Sequence, residues 1–267
     1  MSIFLSIIKT IFKRTYHYRM GQMLSIIIYP VYLTTFILVF VGLYSYKHTD
    51  TLAGFDLAQI IWYQMGAMLI GTITYNETAW YIAHKILTGD LVQDLLRPVS
   101  VFKFQLAEAI GMRLMAMCVE FLPGIIILPF LFFPSFLTGL SVLRFIPVAL
   151  GAFILNYHIS FLIGLLAFAM KSTTSILPIR DIIIWTLGGG RLPLDFFPPV
   201  IKTINTVIPF QYIFYQPLRV FLNMPDTRTP AGYLTIVGIQ AAWIVGLHLL
   251  TRILWRGAFR RFCAVGS

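Results

Sequence analysis

The chain has 267 residues, 58% hydrophobic and only 11% charged, where soluble domains carry about 25% charged residues. Its 20 basic and 10 acidic side chains cannot cover a folded particle of this length, so a water-soluble globule is excluded and the solvent is lipid. The basic excess of 10 would suit nucleic acid on a soluble surface, but in a membrane chain Lys and Arg mark cytoplasmic flanks, so their placement carries the information.

Residues 2–18 set Ser2, Ser6, Lys9 and Lys13 on one helical stripe and Ile3, Ile7 and Ile11 on another, the pattern of a helix lying in the membrane interface. A cytoplasmic extension of the first span is the other reading of this arm. Between Arg19 and Lys47 lie 27 residues without a Lys, Arg, Asp or Glu, a first span with a bend expected at Pro30. It is too long for a signal-peptide core and no small-residue cleavage site follows the basic arm, so a retained anchor is expected. Residues 57–76 form the second uncharged window, and 145–170 and 229–251 form two more. The stretch from Leu114 to Leu143 is broken only by Glu120, and one carboxylate on an apolar helix is tolerable when it faces a bundle interior. Ile176 to Leu187 holds Arg180 and Asp181 and ends at Gly188, Gly189 and Gly190; it is expected to be a fifth span entering from the cytoplasm. The fold class is therefore an all-α integral membrane protein with six transmembrane helices. No linker or repeat marks a second domain, so residues 1–267 form one membrane domain.

Six spans put both termini on one side. The flanks on that side carry 14 of the 20 Lys and Arg residues, so both termini are expected in the cytoplasm. Cys118 falls within the membrane and Cys263 in the tail, and they imply no disulfide framework.

Two loops are too long and patterned to be simple connectors. The cytoplasmic one, about residues 77–103, has Trp80, Tyr81, His84 and Lys85, a break at Gly89 and Asp90, then Leu91, Leu95 and Leu96 at helical spacing before Arg97 and Pro98. This is a short amphipathic helix stopped by proline. It either offers its apolar face to a groove in another protein or lies against the cytoplasmic end of its own bundle. The outer loop, residues 188–228, has Pro193, Pro198, Pro199, Pro209, Pro217 and Pro225 and the aromatics Phe196, Phe197, Phe210, Tyr212, Phe214, Tyr215 and Phe221. Its apolar runs are too short to cross a bilayer, and so many aromatics are costly to expose. A re-entrant or interfacial segment closing a pathway at the outer face is expected.

No GxxxxGK[ST] loop, HExxH, GxSxG or paired-Cys metal spacing occurs, so no enzyme chemistry is expected on this chain. Glu120, Asn156 and His158 are the candidates for a substrate path, with hydrogen bonding between helices as the competing role of Asn156 and His158. Arg180 and Asp181 could also line a path, or neutralise one another near the cytoplasmic interface.

The sequence TGDLVQDLLRPVS at residues 88–100, the basic arm ending in Tyr18 and Arg19, the six spans, and GGGRLPLDFFP followed by VIPFQYIFYQP resemble permease subunits of the type-2 ABC exporters. The likeness is to a bacterial subgroup of about this length. It implies that residues 1–19 are an interfacial helix and that residues 77–103 hold a coupling helix docking in a cleft of a separate ABC ATPase subunit. It also implies an outer re-entrant helical hairpin at about residues 192–222. Trp80, His84, Gly89, Asp90, Leu91, Leu95, Leu96, Arg97 and Pro98 would then be the ATPase-coupling residues, with Pro193, Phe196, Phe197, Pro198, Pro209 and Phe210 in the outer re-entrant segment. A second permease subunit, identical or related, would face this one, with spans two and five lining the route. The chain would sit in the bacterial cytoplasmic membrane, contact membrane lipid and bind no nucleic acid. It would hold no cofactor, ATP and Mg belonging to the partner ATPase. A secondary transporter or channel without an ATPase is the alternative, and a membrane-embedded scaffold or enzyme a third reading.

Overall fold

The computed structural model describes residues 3–17, 25–117, 134–170 and 176–259. The chain begins with α1 (Ile3–His17), α2 (Ser25–Lys47), a hairpin of β1 (Thr51–Leu52) and β2 (Phe55–Asp56), and α3 (Leu57–Thr74). There follow α4 (Thr78–Thr88), α5 (Leu91–Leu95), α6 (Val101–Ala116) and α7 (Gly139–Leu165), the last extended by a 3-10 turn at Leu166–Phe168. After α8 (Ile176–Leu187) come α9 (Pro199–Thr206), α10 (Tyr215–Phe221), α11 (Pro225–Arg228) and α12 (Pro230–Phe259), with 3-10 turns at Leu194–Phe196 and Pro209–Tyr212.

Among the described residues, four helical stretches are long and apolar enough to cross a membrane: Pro30–Lys47, Leu57–Thr88, Gly139–Phe168 and Pro230–Gly257. The expected third span falls partly on residues 118–133, outside the described residues, and Glu120 and Cys118 lie there. The expected fifth span is the 12-residue α8, about 18 Å long at 1.5 Å per residue. The second apolar stretch runs past the expected limit at residue 76, because α4 continues it after a break at residues 75–77.

The centre of the bundle is α3 and α7, both mostly buried, while α2 and α12 present most of their surface outward. Ile60, Ile61, Tyr63 and Ile70 of α3 pack with Val148 and Leu155 of α7 in one core, joined by Ile213, Phe214, Leu218 and Leu222 from the outer segment. The outward residues of α2 and α12, among them Leu38, Val39, Leu234 and Ile253, are apolar, as side chains facing lipid must be. Pro30 stands within α2 and Pro147 within α7, and neither ends its helix.

Local chemistry sets the element ends. Ala53 and Gly54 both have positive φ, 52° and 85°, which a two-residue hairpin turn of the favoured hand requires. Asp56 then caps α3 in a reciprocal pair with Gln59, and Thr138 does the same for α7 with Ser141. The Tyr44 hydroxyl donates to the Phe55 carbonyl at 2.7 Å, tying the hairpin back onto α2. The amphipathic α1 packs on α6, where a Cβ at Gly111 would lie 2.9 Å from Ile11 Cβ. Ile11 is buried there and Arg14 pairs with the buried Glu108 at 2.7 Å, whereas Ser6, Lys9 and Lys13 are exposed.

Candidate functional site

At one end of the bundle, α4 and α5 form an elbow. Thr78, Ala79, Ile82, Ala83 and Ile86 are the buried face of α4, and they lie against α7 so closely that a Cβ on Gly164 would stand 2.8 Å from Ile82 Cβ. This face rests on its own bundle and is not available to another protein. The opposite face carries Trp80, 53% exposed, with its ring stacked on His84 at 5.1 Å between centroids. Gly89, at φ +82°, ends α4 in the left-handed region, and Thr88 donates to the exposed Asp90 at 2.8 Å. From α5 onward Val92, Leu96, Arg97 and Pro98 are exposed, Leu96 by 81%.

Two of the residues expected on the docking face are elsewhere. Leu91 is fully buried and packs with Ile82, Ala83 and Phe161, because the turn at Gly89 folds the first residue of α5 back under α4. Leu95 is half-buried against the same cluster, leaving Leu96 as the outward leucine. The elbow angle is held by Asp94, which patterning did not single out. Its carboxylate is 2% exposed, accepts from Lys85 Nζ of α4, and lies 3.2 Å from Arg97. The aliphatic and aromatic surroundings add to this: Lys85 sits over the Tyr81 ring at 4.5 Å and Arg97 over Phe104 at 4.3 Å.

A series of cavities runs between α3 and α8. The largest of the series, about 470 Å³, is bounded by Gln64, Met68 and Thr72 of α3 with Tyr75 just past its end, by Trp185 of α8 and by Arg113 and Arg191. A second, about 170 Å³, shares Gly71, Tyr75, Trp185 and Arg191 with it and adds Asn156, Arg180 and Asp181. A third, about 410 Å³, shares Tyr75, Asn76, Arg180 and Asp181 with the second and reaches Glu77 and Trp80. The cavities therefore adjoin one another along the length of α3 and end beside the elbow. Gly71 and Trp185 line both the first and the second cavity, and they approach so closely that a Cβ on Gly71 would stand 2.7 Å from the indole.

Polar groups along this series are held in defined ways. Asn156 donates to the Thr74 carbonyl at 2.9 Å and also lines the second cavity. Arg180, almost buried, contacts Asp181 at 2.6 Å and donates to Ser160 at 3.0 Å. Gln64 is fully buried and donates to Tyr32 at 2.8 Å. Its other amide atom, Oε1, has no hydrogen-bond partner among the described residues. Gln64 is an amide in the middle of an uncharged window, visible in the sequence as a polar residue but not marked by charge. His158 sits apart from these cavities, with Nε2 3.2 Å from His248 Nδ1 and its ring among Phe102 and Tyr157. It bridges α7 to α12, the role of hydrogen bonding between helices.

At the opposite end, residues 188–228 divide into a buried and an exposed half. The buried half holds Tyr212, Ile213, Phe214, Pro217, Leu218 and Phe221 and wedges into the bundle, where a Cβ on Gly66 of α3 would stand 2.6 Å from Leu218. Tyr63 donates to the Gly189 carbonyl at 2.6 Å. Gln240 of α12 donates to the carbonyls of Val148 and Tyr212, each at 3.0 Å. Tyr215 donates to Asp195 at 2.9 Å; burial pushes its phenol far above the ordinary value, so it stays a neutral donor. Pro193 is buried, Phe196, Phe197, Pro209 and Phe210 are half-buried, and Pro198 is exposed. Phe196 meets Phe40 edge to ring at 6.3 Å and lies tilted against Phe55 at 6.2 Å. On the exposed half, Val200 of α9 and Val207 just after it face outward.

A helical bundle with several helices long and apolar enough to cross a membrane defines a multi-pass membrane protein. Residues 30–266 match the family described as ABC-2 family transporter protein, and the chain belongs to that family. It is thus a membrane permease of an ABC transporter and not itself a catalytic subunit. No curated protein and no solved structure gives a significant match.

Proposed function

We propose that this chain is the membrane-spanning subunit of an exporter driven by a separate ABC ATPase, which carries the ATP and Mg. The observation that carries this reading is the elbow: a pair of short helices clamped by a buried carboxylate, with apolar residues pointing away from the bundle that holds them. A rigid projection with Trp80, Leu87, Val92 and Leu96 exposed is a costly surface for a monomer and suits a cleft in a partner. The series of cavities between α3 and α8 is the translocation route on this reading, because it connects the elbow end to the region of the outer segment. A second permease, identical or related, closes the route from the other side, and the outer segment of residues 188–228 gates it. ATP acts through its differential binding to two states of the ATPase pair, since a ligand without preference shifts nothing. The elbow would transmit that difference through α4, the helix of the pair that is seated on α7.

On this reading the basic flanks put both termini and the elbow in the cytoplasm, and the resemblance to exporters implies the bacterial inner membrane and outward transport. The test is Leu96→Asp. This side chain is 81% exposed, so the variant keeps the melting temperature of the parent while co-purification with the cognate ATPase is lost. Full recovery of the complex from the variant would overturn the elbow as the docking face.

A further inference from the structure

We propose that the cavity of about 170 Å³ between α3 and α8 receives the paired hydroxyls of a neutral head group, a diol; this rests on the reading of the cavities as the translocation route. The apolar stretch Leu57–Thr88 breaks at residues 75–77, and backbone that leaves helix geometry in a membrane is tolerated where it is buried in protein or lines a cavity. The break frees the Thr74 carbonyl, the last of α3, from any partner along the helix. Two side-chain amides take it up: Asn76 donates to it at 3.1 Å and Asn156 of α7 at 2.9 Å. A carbonyl only accepts, so each amide must turn its nitrogen to Thr74 and its oxygen away.

Both oxygens are left over. Asn76 and Asn156 are 1% and 9% exposed, each lines this cavity, and neither Oδ1 has a hydrogen-bond partner among the described residues. A buried acceptor left alone is costly, and two amides anchored on one carbonyl call for two neighbouring donors. Gln64 repeats the arrangement in the adjoining cavity of about 470 Å³, where its nitrogen donates to Tyr32 and its Oε1 is likewise unpartnered among the described residues. Charge in the smaller cavity selects against ions. Its described lining includes Arg180, Arg191 and one carboxylate, Asp181, which Arg180 already holds at 2.6 Å. A cation therefore meets an excess of positive charge, and a simple anion brings no donor for either amide oxygen, whereas a neutral diol supplies both. The cavity is smaller than a site for a whole ligand, so it takes the head, and the apolar remainder lies in the adjoining large cavity against Ile28 and Met68.

The experiment uses the full chain in phosphatidylcholine nanodiscs with radiolabelled monodecanoylglycerol, and counts saturable binding above that of empty nanodiscs. Unlabelled competitors share the acyl chain and differ in the head: propyl decanoate, which lacks only the two hydroxyls, decanoylcholine and decanoate. Unlabelled monodecanoylglycerol displaces the label about thirtyfold better than any of the three, the scale of two neutral hydrogen bonds. Asn156→Leu weakens binding about fivefold, the scale of one such bond. The variant keeps the melting temperature of the parent, because Asn76 still donates to Thr74 and the unpartnered oxygen is gone. The competitor series on the parent decides the matter even if that variant does not fold. Displacement by free glycerol would mark a soluble polyol as the source, displacement by acylated but not free glycerol a lipid, and either sustains the proposal. An absence of saturable binding would mean that water alone fills the cavity. That result, equal displacement by any of the three competitors, or unchanged binding by a folded Asn156→Leu variant overturns the proposal. The route reading fails separately: diol-selective binding with no ATP-dependent movement of monodecanoylglycerol in vesicles holding the complete transporter would sink the route and leave the diol site standing.

Discussion

The elbow at one end of the bundle and the outer segment at the other are both short, broken and rich in apolar residues, yet they are fastened by different chemistry. The elbow is fixed by charge: Asp94 between Lys85 and Arg97. The buried half of the outer segment is fixed by neutral donors, Tyr63 and Gln240, each reaching backbone carbonyls. The ion pair of Arg219 with Asp226 there is on partly exposed side chains. The difference follows from solvent. A clamp next to water loses little by being ionic, since its cations keep part of their hydration, whereas inside the bundle an ion repays its desolvation only with near-perfect geometry. Neutral hydrogen bonds to carbonyls freed by broken helices serve there instead. The elbow consequently turns its apolar residues outward, while the outer segment turns most of its own inward.

Asp94→Asn is expected to have the largest effect on this contrast. It leaves Lys85, only 14% exposed at its side chain, without its counter-charge, and removing one partner of a buried pair costs about 3 kcal/mol. Amide hydrogen exchange across residues 85–97 should rise sharply with the spans unchanged, and the complex with the ATPase should be lost. Unaltered protection of these amides would show that Leu91 and Ile82 packing alone holds the elbow. Next comes Gly188→Ala. The new methyl would run into the carbonyl of Ile184 and stand 3.0 Å from that of Phe210, both backbone atoms that cannot rotate away. A cost of about 2 kcal/mol is expected for such overpacking, read as a lower melting temperature with ATPase co-purification intact. Loss of co-purification in this variant would break the division of labour between the two ends.

Much of this arrangement was legible in the sequence. Charge-free windows located α2, α3, α7 and α12 because lipid admits few ions, and Gly89 with Pro98 located the elbow because one residue tolerates the left-handed turn and the other ends a helix. The sequence did not reveal which leucine of the elbow faces outward. Leu91 and Leu96 are both consistent with the period, and the choice depends on a fold-back at Gly89 that only packing against α7 decides. The role of Asp94 was hidden for a related reason: its partner Lys85 lies nine residues back, across the turn, outside any helical spacing. Arg180 and Asp181 were visible as charges in an apolar helix, but their position on the cavity wall depends on the approach of α8 to Gly71. In the outer segment, aromatic content signalled burial without distinguishing the half that enters the bundle from the half that stays outside. Glycine at residue 66 makes that distinction by leaving room for Leu218.

The smallest expected effect is that of Tyr215→Phe. Its hydroxyl donates to Asp195 across the turn that joins the buried and exposed halves, and the ring stays packed when the oxygen is removed. Loss of one such bond costs about 1 kcal/mol, somewhat more because the acceptor is a carboxylate. Because burial raises the phenol far above its ordinary value, the parent keeps this donor protonated through neutral and mildly alkaline pH. The stability difference between parent and variant should therefore be flat from pH 6 to about pH 9, the parent phenol titrating only above its already high unfolded value near 10. Above about pH 10 the difference should close, because the unfolded phenol ionises while the buried one does not; a difference that stays flat there as well would mean the hydroxyl is open to water, and that the outer segment is seated less deeply than the elbow comparison requires.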